Sequence, residues 1–195
     1  MTQAPAEWLG DTEGKPAPPP LSRIQALVNT VDRESGADRL ALASDAQPWL
    51  QAQGLLPSGD VPTSEQLHTI RAVREALRAM LVHNAGGPVP SDDQLKPLRR
   101  ITDTAGARVR LGAEGTLRVA PDTDSMEGRL LSLLLVVSDA QREGTWAHLK
   151  ACGNDDCRWA FYDRSRNHGG TWCDMATCGN KLKNREFRAR RSRRD

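Results

Sequence analysis

The four cysteines of the chain form two pairs, Cys152 with Cys157 and Cys173 with Cys178, with four residues inside each pair and fifteen between them. Zinc takes soft thiolate donors in a tetrahedron, and two short knuckles joined by a loop deliver that geometry, with gaps of about 2–4 residues typical inside each pair. A dithiol redox motif carries two intervening residues rather than four, and structural disulfides are rare in a reducing compartment, so the spacing points to metal ligation. His168, in the loop between the pairs, is the alternative donor to one cysteine. A site closed by four cysteines leaves no coordination position for water or substrate. It therefore calls for one structural Zn2+ per chain and argues against hydrolysis.

Directly after Cys178 come Lys181, Lys183, Arg185, Arg188, Arg190, Arg191, Arg193 and Arg194, with Glu186 the one acid among them. Asn180 can cap a helix starting at Lys181, on which Lys181, Arg185 and Arg188 share a face while Leu182 and Phe187 turn toward the knuckles. Arg158, Arg164 and Arg166 add charge within the cysteine module. Up to Leu149 the chain has 15 basic and 19 acidic residues, and beyond it 12 and 6, so a total of +2 divides into −4 and +6. A metal-anchored cationic helix can contact the phosphates and guanine edges of nucleic acid. The alternative is a solvated charged tail, and charge alone does not separate DNA from RNA.

No Gly-rich phosphate loop, nucleophile elbow or HExxH motif occurs, and His68, His83 and His148 are isolated in sequence, so no catalytic or organic cofactor-binding residues are assigned. No apolar run approaches the ~20 residues that span a bilayer, and the start, MTQAPAEWLG, lacks the basic and apolar segments of a secretion signal. A cytoplasmic protein without membrane contact is expected.

The 195 residues allow one real core and an accessory unit. Residues 1–20, ending in a proline run, are expected to be a disordered lead-in. Leu21, Ile24, Leu27 and Val28 follow helical spacing, and 44–53 reads as a second short helix closed by Gly54. Thr63 and Gln66 have capping-box spacing before a stripe running from Leu67 through Ile70, Val73 and Leu77 to Leu81. Ser91 and Gln94 repeat the box, although Pro97 falls inside the helix they start. Alternation in 107–111 and 116–120 around a Gly-bearing turn gives a β-hairpin that needs helices behind it. The run from Met126 to Arg142, apolar on nearly every side, is expected to be the central buried helix. The fold class is mainly α with a small β-hairpin (α+β) in a domain over 21–148. A small C-terminal zinc-binding module over 149–195 follows, ending in a basic helix.

Residues Cys152-Gly-Asn-Asp-Asp-Cys157-Arg-Trp-Ala-Phe-Tyr-Asp163-Arg-Ser165-Arg-Asn167 and Trp172-Cys173-Asp-Met175-Ala-Thr-Cys178-Gly179-Asn180-Lys181 resemble the bacterial CGNR zinc finger. Upstream, Leu27-Val-Asn29-Thr30-Val-Asp32 with Pro48-Trp49-Leu50 and Gly54-Leu55 is similar to the ABATE domain that accompanies this finger in stress-induced transcription regulators. The resemblance implies zinc on the four cysteines, DNA binding by the basic C-terminal part, and ligand or stress-signal sensing by the N-terminal domain. Lys181 stands where the motif has arginine, keeping the charge but losing the planar fork. The loop His168-Gly169-Gly170-Thr171 is less basic than the family pattern. Asn29, Thr30 and Asp32 read as capping and turn residues, with a polar ligand pocket as the alternative. The expected function is a zinc-dependent DNA-binding transcription regulator and no enzyme. The alternative is a zinc-stabilised RNA-binding or protein-interaction adaptor. A homodimer and a small-molecule or stress-signal ligand stay open as further partners.

Overall fold

The computed structural model describes residues 8–181. Leu182, Lys183, Arg185, Phe187, Arg188, Arg190, Arg191, Arg193 and Arg194, and with them the expected basic helix, lie outside the described residues.

Local signals place the helices. Helix α1 (Ser22–Val28) buries Ile24, Leu27 and Val28, and α2 (Ala43–Ala52) buries Ala46 and Leu50 before Gly54 turns the chain at φ +67°. Helix α3 (Ser64–Asn84) opens on a reciprocal box: the Gln66 N–H donates to Thr63 Oγ1 at 3.1 Å and the Thr63 N–H to Gln66 Oε1 at 2.9 Å. Each such bond satisfies an amide that the first helical turn leaves without a partner. Helix α4 (Asp92–Thr104) repeats the device with Ser91 and Gln94 and continues through Pro97. Helix α5 (Met126–Arg142) starts where Ser125 Oγ accepts the Gly128 N–H. None of the described helices is long and apolar enough to cross a membrane.

The central helix is α3, not α5. Helix α3 packs on α1, on α4 and on the C-terminal sheet, whereas α5 packs mainly on α4 and the hairpin. Its Leu134, Leu135 and Val136 are only part-buried. The apolar run of α5 thus exceeds what the core covers.

Strands β1 (Ala107–Leu111) and β2 (Leu117–Pro121) form the expected antiparallel hairpin, in register Val109↔Val119 and Leu111↔Leu117. It is not laid on the core as expected. Val109, Leu111, Leu117 and Val119, which this register puts on one face, are 53–73% exposed, and the hairpin touches the helices mainly through the base of β2 on α5. A second antiparallel pair, β3 (Leu149–Ala151) with β4 (Ala160–Tyr162), has strands too short for alternation to reveal.

The hydrophobic core is continuous from Ala17 through α1, α2, α3 and α5 to Leu149, Ala151 and Ala160. Residues 8–20 are correspondingly not a loose lead-in. Ala17 is buried, Trp8 Nε1 donates to Asn29 O at 2.9 Å, and the Tyr162 N–H donates to Lys15 O at 3.0 Å. Prolines that cannot form a helix here form an extended strap, whose free carbonyls serve as acceptors.

Candidate metal centre

The Cys152 and Cys157 knuckle is the connection between β3 and β4. Cys152 N–H donates to Trp159 O at 2.8 Å, extending the β3–β4 ladder, and the amides of Cys157 and Arg158 both donate to Asn154 O. The turn leaves Arg158 in the left-handed region at φ +50°. The second knuckle follows Trp172. Asp174 accepts from Thr177 N at 2.7 Å and starts the wide helical turn Met175–Gly179, which carries Cys178. Gly153 lets the knuckles meet: a Cβ there would stand 2.9 Å from both Thr171 Cγ2 and Trp172 Cζ3.

The four sulfurs lie within 4.8 Å of one another, with Cys157 Sγ to Cys173 Sγ at 3.7 Å and Cys173 Sγ to Cys178 Sγ at 3.8 Å. A regular tetrahedron with Zn–S bonds of about 2.3 Å has edges of about 3.8 Å, so these separations fit zinc with little rearrangement. No disulfide joins them. Charge points the same way. Hydrogen bonds from the Cys157 and Cys173 thiols hold Cys152 down at about 2, and the same contacts push Cys157 up to about 12 and Cys173 further up. Cys152, Cys157 and Cys173 cannot all ionise side by side, and a divalent cation would remove the conflict. Asn154 Nδ2, 3.8 Å from Cys178 Sγ, supplies an outer hydrogen bond to a ligand sulfur. Cys152, Cys157, Cys173 and Cys178 are therefore the donor set of a single structural zinc site. Zinc there supplies cross-linking of the two knuckles, while the chain supplies the four thiolates and the Asn154 bond.

His168 is outside this cluster. Its ring stacks on His148 with centroids 3.8 Å apart, and its Nδ1 lies 3.3 Å from Asp163 O. Burial, then the His168 neighbour, push the His148 imidazole down from its ordinary value. Beneath the loop, Lys150 Nζ pairs with Asp163 Oδ2 at 2.8 Å, both side chains being almost fully buried, and Lys150 also donates to His168 O. Burial opposes the Asp163 charge, but hydrogen bonds from Lys150, Ser165 and Gly170 outweigh it and hold the carboxyl well below the usual range.

The expected nucleic-acid residues are not equivalent. Arg158 donates to Cys152 O and pairs with Asp155 inside the module, whereas Arg164 donates to Pro16 O of the strap at 2.9 Å over the Tyr162 ring. Lys181 Nζ sits between the two oxygens of Glu34, at 2.9 and 3.0 Å. Arg166 is exposed and makes no hydrogen bond or ion pair among the described residues.

The residues that join the module to the helices are another matter, because composition and spacing did not single them out. Arg78 of α3, buried, donates to Arg158 O at 2.8 Å, to Val28 O at 2.6 Å and to Glu75. Arg74, one turn earlier, holds Asp38 with two bonds and Thr30 with a third. Two arginines at i and i+4 inside the Val73, Leu77, Leu81 stripe were the available signal. Asn29 and Thr30 are buried and turn their polar groups to these contacts rather than to a pocket. Glu13 accepts from Asn29 Nδ2 at 2.6 Å and from Trp159 Nε1 at 3.1 Å, and burial still pushes its carboxyl up.

Comparison with known families agrees with this architecture. Residues 148–191 match the model of the CGNR zinc finger, and residues 21–141 match the ABATE model, described as a putative stress-induced transcription regulator. Neither is a catalytic family. No curated protein matches the chain.

Proposed function

The chain belongs to the ABATE family, whose model is described as a putative stress-induced transcription regulator, and carries a CGNR zinc finger; we propose that it is a zinc-dependent, DNA-binding transcription regulator. One adjacency carries the proposal: the metal ligand Cys178 is three residues from Lys181, where a segment with eight basic residues and one acid begins. A metal site that cannot do hydrolysis fixes the root of that segment, and a dense run of guanidinium groups suits a polyphosphate.

Contacts to phosphate then fall to Arg166 and to Lys181, Lys183, Arg185, Arg188, Arg190, Arg191, Arg193 and Arg194. Arg158, committed within the module, and Arg164, committed to the strap at Pro16, position the finger instead. Residues 21–148 form the regulatory unit and 149–195 the DNA-contacting unit. The bonds from Arg78 and Asn29 give any change in the first a direct route to the second.

Titrating the zinc-loaded chain onto duplex DNA at several salt concentrations tests this. Neutralising about six to eight phosphates gives a slope of log affinity on log salt near −5 to −7. Binding that is absent or indifferent to salt overturns the proposal. Tighter binding of single-stranded RNA than of any duplex replaces it with an RNA adaptor.

A further inference from the structure

The connection from α3 to α4 is folded back on α3. The Gly87 N–H donates to Val82 O at 2.9 Å, and a Cβ on Gly87 would stand 2.6 Å from Val82 Cγ1. Pro88 and Pro90 follow, and their fixed φ makes this turn a stiff wall. Between it, α3, the start of α4 and the first knuckle lies a cleft of about 520 Å³, a volume in the range of small-ligand sites. Ala76, Ala79 and Val82 of α3, with Pro88, Pro90 and Pro97, supply its apolar surface. Among the described residues that line it there is no cysteine.

The charges that line this cleft are unevenly paired. Glu75 is already divided between Arg74 at 2.8 Å and Arg78 at 2.9 Å, and Asp93 is exposed. Arg33, from the loop after α1, is exposed and makes no hydrogen bond or ion pair among the described residues. Arg158 lines the cleft from the knuckle, and its partner Asp155 is 83% exposed, so that pairing is weak and exchangeable. Burial pushes the Arg78 guanidinium down from its ordinary value, Glu75 opposes this, and the charges of Arg74 and Arg33 add to it. Like charges thus converge where α3, the loop after α1 and the knuckle meet, and an anion set among them relieves the repulsion. Three guanidinium groups, Arg33, Arg78 and Arg158, against the carboxylates of Glu75 and Asp93 leave one positive charge in excess, which suits a monoanion rather than a dianion.

We propose that this cleft binds a small organic monocarboxylate, which sets its carboxylate on Arg33 and Arg158 while its apolar body lies against Ala79, Val82 and the prolines. A guanidinium fork matches a carboxylate with paired N–H donors. The consequence reaches the finger. Arg78 donates to Arg158 O at 2.8 Å, so the cleft and the joint between helices and knuckle share Arg158. An occupant held by both Arg33 and Arg158 ties the knuckle to the helical domain a second time. That regulatory consequence rests on the function proposed above, whereas binding in the cleft does not.

The test uses the zinc-loaded full chain without nucleic acid and two probes of similar size and opposite charge, phenylacetate and phenethylamine. The readout is the methyl resonance of Ala79, identified with Ala79→Ser. Phenylacetate shifts it saturably in the millimolar range and phenethylamine does not. Arg33→Gln weakens phenylacetate by about tenfold, the loss of one charge-assisted hydrogen bond. Arg33 is exposed and holds no other residue among the described ones, so this variant spares the fold. Ala79→Leu, which grows an aliphatic side chain into the cleft, abolishes the response, read there on the Val82 methyls. No saturation by phenylacetate, an equal response to phenethylamine, or full-strength binding by either Arg33→Gln or Ala79→Leu overturns the proposal.

Discussion

Asn29 closes the outer edge of β4 by hydrogen-bonding both main-chain groups of Ala160: its Oδ1 accepts the Ala160 N–H at 2.7 Å and its Nδ2 donates to the Ala160 carbonyl at 2.9 Å. The side-chain amide thus does what a neighbouring strand would do, and Lys15 O continues the pairing at Tyr162. An open sheet edge is a site of unwanted pairing, and here it is sealed by the end of α1 and by the strap.

Asn29→Ala leaves the Ala160 N–H and carbonyl buried with one weaker partner, Gln25 Nε2 at 3.2 Å, for the carbonyl alone. Each unsatisfied buried group costs about 1–3 kcal/mol, so a loss of about 2–4 kcal/mol is expected in urea unfolding of the zinc-loaded chain. Asn29→Asp, which keeps the acceptor but sets a carboxylate against Glu13 and a carbonyl, is expected to be worse than alanine.

The buried pair of Lys150 and Asp163 gives a second expectation. Asp163→Asn leaves an ammonium buried without its counter-charge, costing about 3–5 kcal/mol. Replacing both by apolar residues recovers only part of this, because Asp163 also accepts the amides of Ser165 and Gly170. The pH dependence has a defined sign. The Asp163 carboxyl titrates lower when folded than the unfolded value of about 3.9, so its contribution is present above that value and is lost as pH falls through the folded one. The gap between wild type and Asp163→Asn stays constant from about pH 7 to 5 and closes below about pH 4.

The hairpin is expected to be silent in the same assay. Val109→Thr and Leu117→Thr change a side chain that is already 68–69% exposed, so each shifts stability by less than about 0.5 kcal/mol. Had the hairpin packed on the core as its alternation suggested, each would cost several times more. A loss above about 2 kcal/mol for either variant would mean that this face is buried in solution.

How far the fold could be read from sequence follows the range of each interaction. The boxes at Thr63 and Ser91 span three residues and were legible, as were the cysteine pairs, because zinc geometry constrains ligand spacing directly. Alternation revealed the strands of the first hairpin but not whether anything covers its apolar face, since period-2 patterning describes a strand and not its neighbour. Asn29 and Ala160 are 131 residues apart, and an asparagine at a helix end looks the same whether it caps its own helix or clasps a distant strand. The prolines of the strap excluded a helix correctly. Inferring looseness from that exclusion failed because extended backbone with free carbonyls can be captured by Tyr162, Gln25 and Arg164.

That clasping bears on metal removal, where two outcomes are separable. In a chain whose finger folds alone, stripping zinc would melt the finger and leave the helical domain's own transition unchanged. Here the core runs without a break into Leu149, Ala151 and Ala160, and the buried Arg78 guanidinium finishes its hydrogen bonding on Arg158 O. Apparent zinc binding of about 10–16 kcal/mol is comparable with the whole stability of a typical domain, so the metal-free knuckles are expected to unfold. Their loss strips Arg78 of one acceptor and Ala160 of its place beside Asn29. The helical domain should then lose about 3–5 kcal/mol, lowering its transition by roughly 6–20 °C for a chain of this length. Calorimetry of the chelator-treated chain and of Cys173→Ser should show this same lowered transition. An unchanged helical transition after zinc loss would show that the finger and the helices are energetically independent despite their shared core.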